Sequence, residues 1–235
     1  MPRMVGLARS LKIEWLDKTV DLVLEGMATE TIKDELNQYL SFEIDSPTSL
    51  RKTRESLVNI WVVPSDGFVD VRTLALSLYS SISSDKLPLH WCMMAASYPI
   101  FADMCSLIGK VANVEESFTS AWIRGKIYES WGERSTLDMP IKNILKSLVG
   151  FGTLDRIKTG VYKVKPRLIE DARVIRLLIL TVLSLGKKAY YEIHDLSRMP
   201  LLFPFSYNVT MELLYNMPET SISSFGGKMV VTGKA

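Results

Sequence analysis

Apolar residues recur every three or four positions over residues 14–61, a spacing that predicts amphipathic helices. Gly26 follows the first apolar run and is a typical helix terminator. Thr29 predicts the N-cap of a second helix, and Ser46 followed by Pro47 predicts the start of a third. Two short helices joined by a turn, the second carrying basic residues, favour a helix-turn-helix, with a plain three-helix bundle as the alternative.

The same helical spacing recurs in residues 100–165 and then changes to alternation. Three helices are predicted, the second capped by Thr119 or Ser120 and the third starting near Ser135 or Asp138. The third helix carries one continuous apolar stripe, made of Leu137, Ile141, Ile144, Leu145 and Leu148. Residues 154–165 alternate around Gly160, which predicts a β-hairpin. Three helices followed by a hairpin predict a winged helix-turn-helix, with the hairpin as its wing.

The flanking segments are less regular. Residues 62–99 suggest a connector with a turn at residues 64–67, a short strand and one helix. A long helix is predicted to begin at Pro166, and a terminal hairpin to turn at Gly226 and Gly227. This order is compatible with a degenerate second winged helix. The stretch SYNVTMELLYNM lacks basic residues, which favours packing or dimerisation over DNA contact.

Composition narrows the class of protein. The chain has 235 residues, 47% of them hydrophobic, which is enough for a buried core. A net charge of +2 produces no strong global field, so any argument for a nucleic-acid partner depends on local charge. The N-terminus lacks a signal-peptide pattern, and the apolar run at residues 174–186 is too short to cross a bilayer. We therefore expect a cytoplasmic protein that does not contact a membrane.

Positive charge is concentrated in the predicted winged helix, where residues 119–165 hold nine basic against four acidic residues. Lys142, Asn143 and Lys146 lie off the apolar stripe of the third helix, and Lys158 lies at the wing tip. Lysines there suit phosphate contacts, and Asn143 is placed to hydrogen-bond an adenine edge. With Arg134, these residues form the candidate DNA-binding set of this unit. The alternatives are an ordinary solvated face and a winged helix that binds protein.

Groups suited to catalysis or metal binding are few. His90, Cys92 and Cys105 offer three ligands without a fourth at metal-like spacing, so core roles are the better interpretation of the cysteines. The sequence has no phosphate-binding loop, dinucleotide fingerprint or nucleophile elbow. We expect a protein that is not an enzyme and needs no cofactor or metal.

Two stretches resemble the BrxA family of BREX bacterial phage-defence systems. The first is DLVLEGMATETIKDEL followed by SPTSLRKTRESLVNIW, and the second is RSTLDMPIKNILKSLVGFGTLDR. Together they cover roughly residues 20–160. The resemblance implies duplex DNA binding and a role in phage defence with other proteins of the same operon. It also implies, through the Arg-rich helix, that Arg51, Lys52 and Arg54 are DNA contacts.

The expected fold is mainly α, with tandem helix-turn-helix or winged-helix modules and small β-hairpin wings. The expected domains are a helix-turn-helix-like domain at residues 1–62, a connector at 63–99, a winged helix at 100–165 and a C-terminal helical region at 166–235. A homodimer through the C-terminal region is one further option.

The expected function is non-enzymatic binding of duplex DNA, mainly through backbone contacts. A protein-interaction scaffold of a multi-subunit defence complex is one alternative, supported by the aromatic run MPLLFPFSY if it is exposed. An RNA-binding accessory factor is the other.

Overall fold

The computed structural model describes residues 6–7, 9–63, 65–83, 85–186 and 188–233. These residues form a mainly α-helical chain with three small β-sheets, which confirms the coarse fold expected from the sequence. Pro64, part of the predicted turn at residues 64–67, lies outside the described residues.

Five helices form the N-terminal part of the chain. They are α1 (Ile13–Leu24), α2 (Thr29–Ser41), α3 (Pro47–Trp61), α4 (Val69–Ser81) and α5 (Leu87–Ser97). Ser46 caps α3 as predicted, accepting a hydrogen bond from the backbone N–H of Ser49 at 3.4 Å, and Pro47 is the first helical residue. Thr29 differs from its prediction, because it is the first residue of α2 and makes no capping bond.

The segment expected to connect two domains holds two helices, α4 and α5, where one helix and a short strand were expected. From Leu87 to Ala96 every residue of α5 is buried. A helix that is apolar on all sides shows no amphipathic period, so the sequence did not distinguish it from a connector. The helix is instead a central element of the core.

Residues 99–164 form a unit of helices and a small sheet. Its elements are α6 (Pro99–Ala112), β1 (Phe118–Thr119), α7 (Ser120–Trp131), α8 (Asp138–Gly150), β2 (Leu154–Lys158) and β3 (Val161–Val164). The sheet is antiparallel in the order β1-β3-β2, so the first strand lies beside the third. Thr119 caps α7 and Gly160 lies in the hairpin turn with φ +72°, both as predicted. Strand β1 was missed because two residues are too few to show alternation.

Residues 172–233 repeat this order, except that a further short strand at residues 205–206 lies between the second and third helices. The elements are α9 (Ala172–Ser184), β5 (Tyr191–Glu192), α10 (Ile193–Leu196), α11 (Met211–Tyr215), β7 (Thr220–Phe225) and β8 (Lys228–Gly233). The sheet order is β5-β8-β7, again with the first strand beside the third. The terminal hairpin turns at Gly226 and Gly227 as predicted. Helix α9 begins at Ala172 instead of Pro166, because Asp171 caps it by accepting from Arg173 N–H.

Trp91 of α5 joins the N-terminal helices to the C-terminal part of the chain. Its indole N–H donates to the carbonyl of Leu201 at 3.0 Å. Its ring makes edge contacts with Phe101, Phe203 and Phe205 at centroid distances of 5.1 to 5.3 Å. Two further strands, β4 (Arg167–Leu168) and β6 (Phe205–Ser206), pair in parallel and hold these two parts of the chain side by side.

No single described helix is long and apolar enough to cross a membrane. Helices α5 and α6 meet that requirement only as a pair, by length and composition, and they are bent by 119° at their junction.

Candidate nucleic-acid interface

Helix α8 exposes a narrow stripe of side chains and buries the rest. The predicted apolar stripe is buried, with each of its five side chains at most 4% exposed. Met139, Lys142 and Lys146 face solvent. Pro140 lies in the first turn, where the N–H that proline lacks would have had no helical partner. The two lysines are thus presented outward on a rigid element, as predicted.

Asn143 does not share that exposed stripe. The N-terminal segment (residues 6–7 and 9–11) lies against α8, where Asn143 Nδ2 donates to the carbonyl of Leu7 at 3.4 Å. The backbone N–H of Leu11 donates to Ser147 Oγ at 2.8 Å. Asn143 is only 8% exposed, so the expectation that it faces a base edge is wrong for this conformation. The sequence missed this because the covering residues are 136 positions away.

The hairpin β2–β3 extends from the end of α8 and carries cations at its tip. Arg156, Ile157 and Lys158 are exposed. The turn is fixed to the start of α7, since the N–H of Ser120 donates to the carbonyl of Gly160 at 2.8 Å. A side chain at position 160 would meet Ser120 Oγ at 3.1 Å, which explains glycine there in addition to its positive φ.

Ion pairing separates the nine basic residues of residues 119–165 into two classes. Three are paired with carboxylates, namely Arg124 with Asp138, Lys126 with Glu129 and Lys163 with Glu116. Six have no carboxylate partner among the described residues, and they are Arg134, Lys142, Lys146, Arg156, Lys158 and Lys165. The predicted contacts of this unit all belong to the second class, except Asn143, which carries no charge.

The paired residues are held at defined positions. The Tyr128 hydroxyl and the Arg124 guanidinium both donate to Asp138, and these bonds hold the pKa of that carboxyl below its ordinary value.

Arg134 is half-buried, and its Nε is buried without a hydrogen-bond partner in the described structure. Of the unpaired cations, Arg134 is therefore the least accessible to a ligand.

The Arg-rich helix α3 presents two of its three predicted contacts. Arg51 and Lys52 are exposed. Arg54 is instead half-buried, paired with Glu55 and donating to Asn37 Oδ1 at 3.1 Å. Because two acceptors already hold this guanidinium, Arg54 connects α3 to α2 within the fold.

The N-terminal segment contacts both α3 and α8. Arg9 Nη2 donates to Ser49 Oγ in the first turn of α3 at 2.9 Å, and Leu11 contacts Ser147 in α8. Residues 9 and 11 are two positions apart, so at most about 7 Å separates their Cα atoms, and the Arg9 side chain spans the remaining distance to α3. Arg9 was not among the predicted contacts. Its position beside α3 follows from its bond to Ser49, 40 residues away, which the sequence pattern does not reveal.

Other chemistry is limited among the residues described. No group of three or more His, Cys, Asp or Glu side chains is arranged to hold a metal ion. Burial raises the pKa of the Cys92 thiol to about 12 and that of Cys105 well above its ordinary value. The run at residues 199–207, expected to be exposed in the scaffold alternative, is largely buried, with Leu201, Leu202, Phe203, Phe205 and Tyr207 at most 8% exposed.

Comparison of the chain with protein-family models, curated proteins and solved structures finds no match in any of the three.

Proposed function

We propose that this protein binds duplex DNA without catalysing a reaction, and that residues 100–165 form a winged helix whose third helix is α8. The observation that carries the proposal is the exposed pair Lys142 and Lys146 on α8, adjoining a hairpin with Lys158 at its tip. None of these three lysines has a carboxylate partner in the described structure, whereas Arg124, Lys126 and Lys163 of the same unit are paired with carboxylates.

The order of elements supports the winged-helix assignment. A helix, a short strand, two helices and a hairpin follow one another, and the short strand pairs with the second strand of the hairpin. This arrangement places the hairpin directly after the third helix, so cations on both elements are available to one groove and its flanking phosphates. The repeat of the order in residues 172–233 supports a second, degenerate unit.

The surface favours phosphate contacts over base reading. Lysine is a flexible point charge suited to phosphate, and Met139 offers no hydrogen bond. The uncharged polar side chains in the middle of α8 that would suit base edges, Asn143 and Ser147, lie under the N-terminal segment. We therefore expect affinity that depends little on sequence and falls steeply with salt.

Arg51 and Lys52 extend the proposed interface. The N-terminal segment contacts the first turn of α3 through Arg9 and the middle of α8 through Leu11, which supports a duplex that reaches from the lysines of α8 to both residues. Arg9 belongs to the same region. Arg54 is left out of the proposed contacts because Glu55 and Asn37 hold its side chain.

The resemblance to the BrxA family extends the proposal to a role in phage defence alongside other proteins of one operon. It rests on roughly residues 20–160, which contain α3, α8 and the first strand of the hairpin, β2. The scaffold alternative loses its main support, because its aromatic run is buried in the core.

Fluorescence anisotropy with a random-sequence duplex and a structured RNA of equal charge, each at two salt concentrations, tests the proposal. We expect the duplex to bind at low salt, to weaken steeply as salt rises, and to resist competition by the RNA. Absence of duplex binding at low salt, or tighter binding of the RNA, contradicts it.

A further inference from the structure

The outer strand of the C-terminal sheet, β7, is an unprotected edge. In the order β5-β8-β7 it pairs, within the described part of the chain, on one side only, with β8. Its sequence TSISSF has no charged residue and no proline, and its last three residues are exposed. An edge of this kind presents a row of backbone N–H and C=O groups, and no charged side chain or proline hinders their pairing with another strand.

The equivalent edge in the first unit is protected. Strand β2 occupies the same outer place in the order β1-β3-β2. It carries Asp155, Arg156 and Lys158 within five residues. Antiparallel pairing of β2 with a second β2 in register brings Arg156 opposite Arg156, and like charges directly opposite each other are destabilising. The two sheets have the same strand order. The outer strand of the first sheet, β2, carries charged side chains that disfavour pairing with another strand, whereas β7 carries none.

Exposed apolar side chains flank the unguarded edge. Phe225 at the end of β7 is 62% exposed and lies against Tyr190, with ring centroids 5.1 Å apart. Met229, opposite Ser224 in the hairpin, is 43% exposed. The nearby charge of Lys228 is neutralised by Glu192, to which it donates at 2.9 and 3.1 Å. Pairing along β7 therefore buries apolar surface without opposing a free charge.

We propose that β7 pairs with β7 of a second copy of this chain in antiparallel orientation, which joins the two C-terminal sheets into one continuous sheet. A two-fold axis makes a strand its own partner, since the same N–H and C=O groups then meet reciprocally. Because β7 is uncharged, no register of this pairing opposes two like charges. The inference is independent of DNA binding.

Sedimentation equilibrium of the full chain tests the pairing, from low micromolar to about 100 μM, a range that reports weak association. We expect a monomer–dimer equilibrium for the unaltered chain. The double variant Ser221→Lys and Ser223→Lys places cations along the edge and raises the dimer dissociation constant at least about tenfold. The control Asn208→Lys and Asn216→Lys adds the same charge at exposed positions off the strand, and it leaves the constant unchanged.

A chain that stays monomeric at the highest concentration overturns the proposal, as does a dimer indifferent to the lysines in β7. Hydrogen exchange of the unaltered chain provides a measurement that needs no variant. We expect the amides of residues 221–225 to exchange more slowly at high than at low protein concentration. Equal exchange at both concentrations, in a sample that sediments as a dimer, places the interface elsewhere and overturns the inference.

Discussion

The side-chain amide of Asn143 donates a hydrogen bond to the backbone carbonyl of Leu7, 3.4 Å away. The bond places the N-terminal segment over one polar face of α8, while Lys142 and Lys146 stay exposed on the neighbouring face. Helix α8 is therefore both a core element and a surface element. The account of binding rests on the face that remains exposed.

Replacing Ser147 by Ala should weaken the attachment of the N-terminal segment to α8. Ser147 Oγ accepts from the buried N–H of Leu11, and the alanine variant leaves that N–H unpaired. We expect a loss of about 1–3 kcal/mol in the free energy of unfolding. Urea denaturation measures it, with Ser130→Ala as the control, because Ser130 is exposed and bonds only within its own helix. Equal stability of the two variants contradicts a structural role for the segment.

Gly109 allows α6 to approach the turn at Pro200 closely. A Cβ at position 109 would lie 2.0 Å from the Pro200 carbonyl oxygen, a backbone atom that cannot rotate away. Gly109→Ala should therefore destabilise the protein by about 1–3 kcal/mol. Gly125→Ala is the matched control, because it lies in α7 with open space around it and should stabilise by about 0.5–1 kcal/mol. Thermal unfolding of both variants should show shifts of opposite sign.

Asp17 accepts two hydrogen bonds in a network that joins four helices. The Tyr79 hydroxyl donates to Asp17 Oδ1 at 2.6 Å, and His90 Nε2 lies 3.0 Å from the same oxygen. Trp61 Nε1 donates to His90 Nδ1 at 3.1 Å, so Nε2 carries the proton and donates to Asp17. Asp17→Ala leaves both donors without their acceptor and should cost about 2–4 kcal/mol in urea denaturation. Asp17→Asn keeps an oxygen there and should cost about 1 kcal/mol.

The Asp17 network also predicts a pH dependence of stability. Burial alone raises the pKa of Asp17, but the hydrogen bonds from His90 and Tyr79 outweigh it and place the pKa below the ordinary 3.8. A carboxyl whose pKa is lower in the folded state stabilises fully above the unfolded value, and this contribution is lost as pH falls through the folded value. The stability difference between the unaltered chain and Asp17→Asn should therefore shrink below pH 3.8. A constant difference down to about pH 2, or one that grows, contradicts this account.

We expect Arg51 and Lys52 to contribute to duplex binding and Arg54 to contribute to stability. Replacing Arg51 and Lys52 by Ala removes two exposed cations and should weaken duplex binding equally for all sequences, with a salt slope smaller by about 0.9 for each phosphate that is no longer neutralised. Arg54→Ala removes the same kind of charge from the same helix but breaks its bonds to Glu55 and Asn37. It should lower stability and leave affinity unchanged. An affinity loss in Arg54→Ala equal to that of Arg51→Ala would place Arg54 among the contacts.

Local signals in the sequence predicted the parts of the fold that depend on neighbouring residues. Ser46 and Thr119 were identified as caps because capping needs only a side-chain oxygen three residues before an N–H. The two hairpin turns were found because glycine accepts positive φ. Lysines off the apolar stripe of α8 were placed correctly because helical periodicity fixes the direction of a side chain.

The errors arose where distant parts of the chain meet. Asn143 and Arg54 were expected at the surface, and each is held by a partner that local periodicity does not reveal. Helix α5 lacks a polar face because its neighbours surround it, so it resembled a connector.

The salt dependence of duplex binding by the double variant Lys142→Ala and Lys146→Ala tests the central claim most directly. The matched control is Lys33→Ala with Lys126→Ala, which removes two lysines already paired with Glu30 and Glu129. The account predicts weaker binding and a salt slope smaller by about 1.8 in the first variant, with an unchanged slope in the control. The same affinity and slope in both variants and the unaltered chain would contradict it.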